Sequence, residues 1–501
     1  MKRGAAFLMV LVLLLLPGMP RAEAGDPARG RRIYERLCWW CHGEDGFGDG
    51  PASEYLSPPP RDLTDGTYKF RSTPPDEFFP GDDDIFRVIK HGLAGTAMPG
   101  WGDVLDDDGI WDLVAFLKEL AAMEPVGKAS VEYGAQPRPG RESIERGREL
   151  FEDRCSECHG MRGRGDTSKR LRDDWGFTTW PRNLTKGWTF RAGGTPRDIF
   201  RRITTGIPGT QMPSFDDPAS RKRLDIGERW DVANYVASLN APYKEPKGER
   251  LIRAVRVDTD LPETVDDVLW EKAPYTSLYT TAQLVEDERL YMPTIDSLSV
   301  KALYNQRELA LLVEWDDPTK SVPGDRKARR IAGGEPFRDA MAVEFPVGTD
   351  PEEGLPYFGM GESNAPVSIW HWRGESATGP QEISLLYARG PEDTVERSAE
   401  DSGLFARGEY RDGTWRVVVK RPLATADPSR DVQFEAGGTV PVAFALWDGS
   451  NFDRGSKHVM TGWSWLLLEP EAGRGVFVWP AAVFVAVLVM EIIWMRSMKR
   501  G

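Results

Sequence analysis

Cysteine is nearly absent. The 501 residues hold four, and all four stand in two short segments, CWWCH at 38–42 and CSECH at 155–159. Disulfides therefore cannot be the source of stability, which must come from ordinary hydrophobic cores. A positive balance is missing too: a formal charge of −14 and a pI near 5.1 disfavour nucleic acid and anionic lipid as partners. Nor does the chain show a nucleophile beside a base, paired catalytic carboxylates or a phosphate-binding loop, so no catalytic residue is assigned. Long apolar runs occur only at the two ends.

The two cysteine segments share the spacing C-x-x-C-H. On a helical turn the two thiols lie on one side, where each can form a thioether to a haem vinyl group, and the next histidine reaches the iron. Cys38 and Cys41 with His42 are expected to hold one haem c, and Cys155 and Cys158 with His159 a second. A zinc site would need four ligands, and each segment offers at most three. A thioredoxin-like pair would sit in a βαβ unit, which neither has, and two disulfides would leave both histidines unexplained.

The first 24 residues have a basic start, an apolar run from Ala5 to Leu16, and Ala22-Glu23-Ala24 before Gly25. They read as a secretory signal peptide. Residues 475–495 are almost wholly apolar and precede Arg496, Lys499 and Arg500. They are expected to form one transmembrane helix, with 496–501 as a cytoplasmic tail by the positive-inside rule. Glu491 lies near the inner interface, and the span has no histidine, so it reads as an anchor. The expected location is the bacterial cytoplasmic membrane, crossed once, with the bulk of the chain in the periplasm.

The first half repeats itself. GRRIYERLCWWCHGEDGFGDG at Gly30 parallels GRELFEDRCSECHGMRGRGD at Gly147, PRDLT at Pro60 parallels PRNLT at Pro181, and DIFRVIKHGLAGTAMPGW at Asp84 parallels DIFRRITTGIPGTQMPSF at Asp198. Each copy closes on a Trp-Asp helix, WDLVAFLKEL or WDVANYVASL. This is a duplicated domain with helical periodicity. Both copies resemble class I cytochromes c. The resemblance implies that a methionine after the middle helix is the sixth iron ligand, and it falls on Met98 in GTAMPGW and Met212 in GTQMPSF. His91 is the rival in the first copy, but the second has Thr205 at the matching place. The expected boundaries are 25–125 and 141–240 for the cytochrome c domains, with linkers at 126–140 and 241–250.

After the second linker the texture changes. Nine segments, beginning at 251, 297, 308, 339, 367, 382, 414, 440 and 462, are short, β-branched or aromatic, and separated by Gly, Pro and Asp. They predict a β-sandwich over 251–470. FRDAMAVEFP at Phe337, LPYFGMGESNAPVSIWHWRG at Leu355 and VPVAFALWDGSNFDRGSKHVMTGWSWLLLE at Val440 resemble the haem b γ subunit of ethylbenzene dehydrogenase and its relatives. These are subunits of molybdenum enzymes of the dimethyl-sulfoxide-reductase superfamily, among them nitrate reductases and nitrite oxidoreductases. The resemblance implies one non-covalent haem b with Met360 and Lys457 as iron ligands. Without it, His371 and His458 would be the natural choice. It also implies a molybdopterin catalytic subunit and an iron-sulfur subunit as partners, with a periplasmic cytochrome or membrane redox complex beyond. The other reading is a dihaem cytochrome c fused to a sugar- or ligand-binding sandwich. The expected fold class is two all-α cytochrome c domains, an antiparallel β-sandwich and one C-terminal transmembrane helix, and the expected role is electron transfer without catalysis.

Overall fold

The computed structural model describes residues 25–470 apart from 57, 94–95, 125, 127–129, 168–170, 175, 177, 241–243 and 349–353. The signal peptide expected at 1–24, the span expected at 475–495 and the tail at 496–501 lie outside the described residues. The chain packs as two units: residues up to Pro137 with Arg191–Trp230, and Arg138–Phe190 with the residues from Asp231 onward.

In the first unit, helix Pro27–Leu37 starts where Asp26 accepts from Ala28 N at 2.9 Å, with Pro27 in the first turn. It runs into the short helix Trp39–His42, and helix Asp107–Leu120 crosses it. Gly30 makes that crossing close, since a Cβ there would lie 2.0 Å from the Asp112 carbonyl oxygen. Asp112 then locks the pair, accepting from Asp26 N at 2.7 Å and meeting Arg29 at 3.0 Å. Middle helix Asp82–His91 stacks Phe86 on Trp111, centroids 4.5 Å apart.

The other unit repeats the crossing with helices Arg141–Arg154 and Ile226–Ser238. Gly147 would bring a Cβ 2.0 Å from the Asp231 carbonyl oxygen, and Asp231 accepts from Ser143 Oγ at 2.5 Å and Arg146 Nε at 2.7 Å. The Trp-Asp signature is thus explained: the aspartate ties the closing helix to the first. The tryptophan before it, Trp230, belongs to the first unit, where it stacks on Phe200 of helix Pro196–Thr205 at 4.3 Å.

A two-residue ribbon, β1 (Leu171–Arg172) with β2 (Thr178–Thr179), precedes the β-domain. The domain itself consists of β3 (Leu251–Arg256), β4 (Thr276–Tyr279), β5 (Thr281–Ala282), β6 (Ser297–Tyr304), β7 (Glu308–Asp316), β8 (Ala340–Pro346), β9 (Val367–Arg373), β10 (Glu382–Ala388), β11 (Thr394–Arg397), β12 (Phe405–Arg411), β13 (Thr414–Pro422), β14 (Thr439–Trp447), β15 (Val459–Met460) and β16 (Ser464–Leu468). The main ladder runs β11-β10-β9-β8-β14-β16-β3-β6-β7-β13-β12. Strand β14 joins two layers, pairing through Thr439–Val442 with β16 and through Ala443–Trp447 with β8. Between the layers lies one core, with Met341, Val343, Phe345, Trp370 and Trp372 from one side and Val300, Leu311, Val313, Trp415 and Val417 from the other.

Two expectations are corrected. The sandwich is not purely antiparallel, because β3 runs parallel to both β16 and β6. The first and last strands of the domain lie side by side, and parallel neighbours are reached by a long crossover, never by a hairpin. The fold class with a membrane helix is corrected as well. Among the described residues no helix is long and apolar enough to cross a membrane. The 14-residue helices Asp107–Leu120 and Arg141–Arg154 are about 21 Å long at ~1.5 Å per residue, short of the ~30 Å hydrocarbon layer.

Candidate functional site

Each C-x-x-C-H segment is a single helical turn. Cys38 O accepts from His42 N at 3.0 Å, and Cys155 O accepts from His159 N at 2.9 Å. The ring of His42 is fixed by Nδ1 on the Arg61 carbonyl at 3.0 Å, and that of His159 by Nδ1 on the Arg182 carbonyl at 3.1 Å. A carbonyl acceptor puts the proton on Nδ1 and leaves Nε2 with a free lone pair, the form an iron ligand needs. Burial lowers both imidazole pKa values, against the opposing effect of the carbonyl bond, so both stay neutral. The two carbonyls belong to the repeated PRDLT and PRNLT segments, whose role the sequence did not reveal. The same burial pushes the Cys38 thiol up to about 12.

The methionine loops are equally alike. Met98 N donates to Thr96 Oγ1 at 3.2 Å while Thr96 Oγ1 donates to Leu93 O at 2.8 Å. Met212 N donates to Thr210 Oγ1 at 3.2 Å, and Thr210 Oγ1 donates to Ile207 O at 2.8 Å. The threonine of G-T-x-M-P thus sets each loop, and both methionines stay half-buried. His91 is exposed at the end of its helix. His42 and Met98 share one unit, whereas His159 and Met212 fall in different units.

The helix before each loop ends on a glycine. Gly206 has φ +66°, and a Cβ there would lie 2.7 Å from Pro213 C and 2.9 Å from Met212 O. Gly206→Ala is therefore expected to destabilise this region by about 1–3 kcal/mol. A thermal melt of the holoprotein checks this, and an unchanged Tm would show that the loop can shift at no cost.

In the β-domain the outward residues of four adjacent strands form a second site. Ala342 of β8 lies opposite His371 of β9 and Ala445 of β14, Glu344 opposite Ile369, and Val367 opposite Ala388 of β10. Ala342, Val367, Ile369 and Ala388 are buried there as an apolar cluster separate from the main core, with Met360, Leu386, Ala445, Trp447 and Trp463 packed on it. Three alanines, Ala342, Ala388 and Ala445, stand in this cluster beside Val367 and Ile369, with Trp447 and Trp463 packed against it. Trp447 Nε1 donates to Gly455 O at 2.9 Å and Trp463 Nε1 to Pro356 O at 2.7 Å, anchoring the loops on either side. An apolar cluster bordered by tryptophans, with one thioether packed on it, has the chemistry of a haem pocket.

Met360 adopts φ +79°, unusual for a side-chain-bearing residue. Its N–H donates to the Glu344 carboxylate, and its carbonyl accepts from Gly390 N at 2.9 Å. Burial holds Glu344 well above the usual carboxylate range. Lys457 Nζ lies on two backbone carbonyls, Asn451 O at 3.0 Å and Phe452 O at 3.4 Å. His371 and His458 pack against Trp447, with centroid distances of 5.4 and 4.7 Å. Burial lowers both histidines to about 4.

The second C-x-x-C-H segment is tied to the β-domain by charge. Arg182, whose carbonyl holds His159, pairs through its guanidinium with Asp296, and Lys186 meets Asp316 at the end of β7 at 2.8 Å. Arg162 pairs with Asp412, and Arg164 donates to Thr414 Oγ1 at 3.1 Å.

Three family descriptions match this chain. "Ethylbenzene dehydrogenase" covers residues 267–385 and 386–459, "Cytochrome C oxidase, cbb3-type, subunit III" covers 25–117, and "Cytochrome c" covers 144–240. The putative respiratory nitrate reductase heme subunit ORF7 of Haloferax mediterranei is 32% identical over 34% of this chain and 55% of its own length. The dimethylsulfide dehydrogenase subunit gamma of Rhodovulum sulfidophilum is 28% identical over 42% of this chain and 77% of that subunit. The chlorate reductase subunit gamma of Ideonella dechloratans is 29% identical over 44% of this chain and 84% of that subunit. This chain thus spans about half the length of the haloarchaeal subunit and more of the other two. Cytochrome c domains imply haem c, and the ethylbenzene dehydrogenase domain implies haem b. With a supported C-x-x-C-H turn in each repeat, the chain carries two cytochrome c domains, matched over 25–117 and 144–240, followed by a domain over 267–459 that matches the ethylbenzene dehydrogenase family.

Proposed function

We propose that this chain is the electron-transfer subunit of a periplasmic molybdenum-dependent oxidoreductase of nitrate reductase or nitrite oxidoreductase type. It holds two covalent haems c, in domains over 25–125 and 141–240, and one haem b in a domain over 251–470. Cys38, Cys41 and His42 with Met98, and Cys155, Cys158 and His159 with Met212, hold the haems c, and Met360 and Lys457 hold haem b. Each haem supplies reversible one-electron exchange at iron.

The observation that carries this reading is the shared support of both iron-facing histidines, each with Nδ1 on the arginine carbonyl of a repeated segment. Such a hydrogen bond orients the ring and raises its basicity as a ligand. Histidine with methionine gives a higher potential than two histidines, which suits a carrier. The ion pairs of Arg182 and Lys186 with Asp296 and Asp316 hold the second haem c segment on the β-domain. Three relatives with gamma-subunit or heme-subunit names support the partners: a molybdopterin catalytic subunit, an iron-sulfur subunit, and a soluble cytochrome or membrane redox complex as the other terminus.

Haem counting is the test. A pyridine haemochrome spectrum of the purified chain is expected to give c-type and b-type haem in a ratio of two to one. Mild-detergent purification should bring down a molybdenum-containing subunit together with an iron-sulfur protein. Haem c alone, with no molybdenum subunit, would sink this reading.

A further inference from the structure

Three carboxylates meet inside the β-domain at a place where electron transfer needs none. Asp317 directly follows β7, Asp339 directly precedes β8, and Asp448 directly follows β14. One oxygen from each lies within 4.8 Å of the others. All three residues are fully buried at 0% exposure. Asp453, also buried, accepts from Asp448 N at 3.1 Å and stands beside them.

Carboxylates crowded away from water take up protons unless a cation neutralises them. Burial and mutual repulsion do raise this group, Asp339 to about 7. Their hydrogen bonds are nonetheless those of anions. Asp339 accepts from Gly449 N at 2.9 Å on one oxygen, and from Ser321 N at 2.7 Å and Trp415 Nε1 at 2.9 Å on the other. Asp448 Oδ1 accepts from Ser450 N at 2.9 Å and Ser450 Oγ at 2.7 Å, and Oδ2 from Thr294 Oγ1 at 2.7 Å. With every oxygen of these two already taking a donor, both are set up to carry charge.

Asp317 supplies an independent sign. Its Oδ1 accepts from Thr319 N at 3.0 Å, but its Oδ2, on a fully buried side chain, has no hydrogen-bond partner. Asp339, Asp448 and Asp453, all of its own sign, raise it further. An orphan carboxylate oxygen on a buried residue crowded by other carboxylates is satisfied by a cation.

The donors are oxygens without histidine or cysteine, which selects a hard cation. Calcium bonds oxygen at about 2.3–2.6 Å in flexible geometry, so its ligands stand up to ~5 Å apart, whereas magnesium demands a near-ideal octahedron at about 2.0–2.1 Å. We propose that Asp317, Asp339 and Asp448 bind one calcium ion at the end of the sandwich. Its ligands come from both layers, since β7 belongs to one and β8 and β14 to the other. The ion fastens the layers together and fixes the root of the loop from Asp448 to Lys457.

Metal analysis and melting of the purified holoprotein test this. Calcium is expected in a one-to-one ratio with the chain. Dialysis against a chelator should lower Tm by about 5 °C or more, and added Ca2+ should restore it. Asp317→Asn keeps the side-chain size and the Thr319 contact and is expected to weaken calcium binding at least about tenfold while both covalent haems remain. A holoprotein without calcium whose Tm does not respond to Ca2+ would overturn the proposal, and so would full calcium affinity in Asp317→Asn. Equal protection by Mg2+ would overturn the choice of ion. If Asp317→Asn fails to fold, the chelation and Ca2+ melts of the unmodified protein decide.

Discussion

Met360→Ala is expected to strip the b-type absorbance from the purified chain while covalent haem staining stays at full strength. Met360 holds φ +79°, a conformation that strains a side-chain-bearing residue by roughly 1–2 kcal/mol. It persists because the N–H is held by Glu344 and the carbonyl by Gly390. Such strain is retained where it aims a side chain, and this one is packed on the cluster of Ala342, Val367, Ile369 and Ala388. Met360→Gly separates the two effects: it relieves the backbone at this φ, yet haem b should still be lost because the thioether is gone. Lys457→Ala is expected to give the same depletion. Its amine must exchange the Asn451 and Phe452 carbonyls for iron, and alanine cannot. His371→Ala should leave the b-type spectrum largely intact, because the ring packs against Trp447. Loss of that spectrum in His371→Ala or His458→Ala, with Lys457→Ala unaffected, would transfer the ligand role to a histidine.

What could be read in advance was whatever chemistry is local. Five residues suffice for a C-x-x-C-H turn, and β-branched runs such as SLSVKALY and ELALLVEW announce β6 and β7 without help from their neighbours. Strand β12, FARGEYR, escaped because it is polar and holds Gly408 where a Cβ would lie 2.4 Å from the Trp372 ring. Short β4, β5, β11 and β15 carry too few residues for a period to show. The parallel setting of β3 was invisible for another reason: LIRAVR records that it is half-buried, not which way its partners run. Arg61 and Arg182 mark the subtlest gap. The repeat exposed both segments, but their work is done by carbonyl oxygens, which every residue owns. The outward cluster was hidden likewise, since Ala342, Ala388 and Ala445 lie in three different strands and meet Val367 and Ile369 only when β8, β9, β10 and β14 are laid side by side.

Met212→His is expected to keep its haem and lower that centre's potential by on the order of 0.1–0.3 V, within the ~0.8 V that axial ligands span. Imidazole donates more strongly to ferric iron than a thioether does, so the oxidised form gains. The loop should present either side chain from the same place. Met212 N is held by Thr210, Ile207 N donates to Met212 O at 3.1 Å, and none of these bonds uses the side chain. Met98→His should act alike in the first repeat, where Leu93 N donates to Met98 O at 3.1 Å. The two substitutions serve as each other's controls: a redox titration of either variant should move one haem c wave and leave the other in place. A potential that does not move in Met98→His would make His91 the ligand there, and the exposed end of its helix would have to turn inward to reach the iron. The matching Thr205 is buried, with its hydroxyl donating to Gly206 O at 2.9 Å, and a hydroxyl so engaged cannot replace a lost thioether. Met212→Ala should therefore cause the larger disturbance of the pair, with an open iron position and a spectrum sensitive to added imidazole.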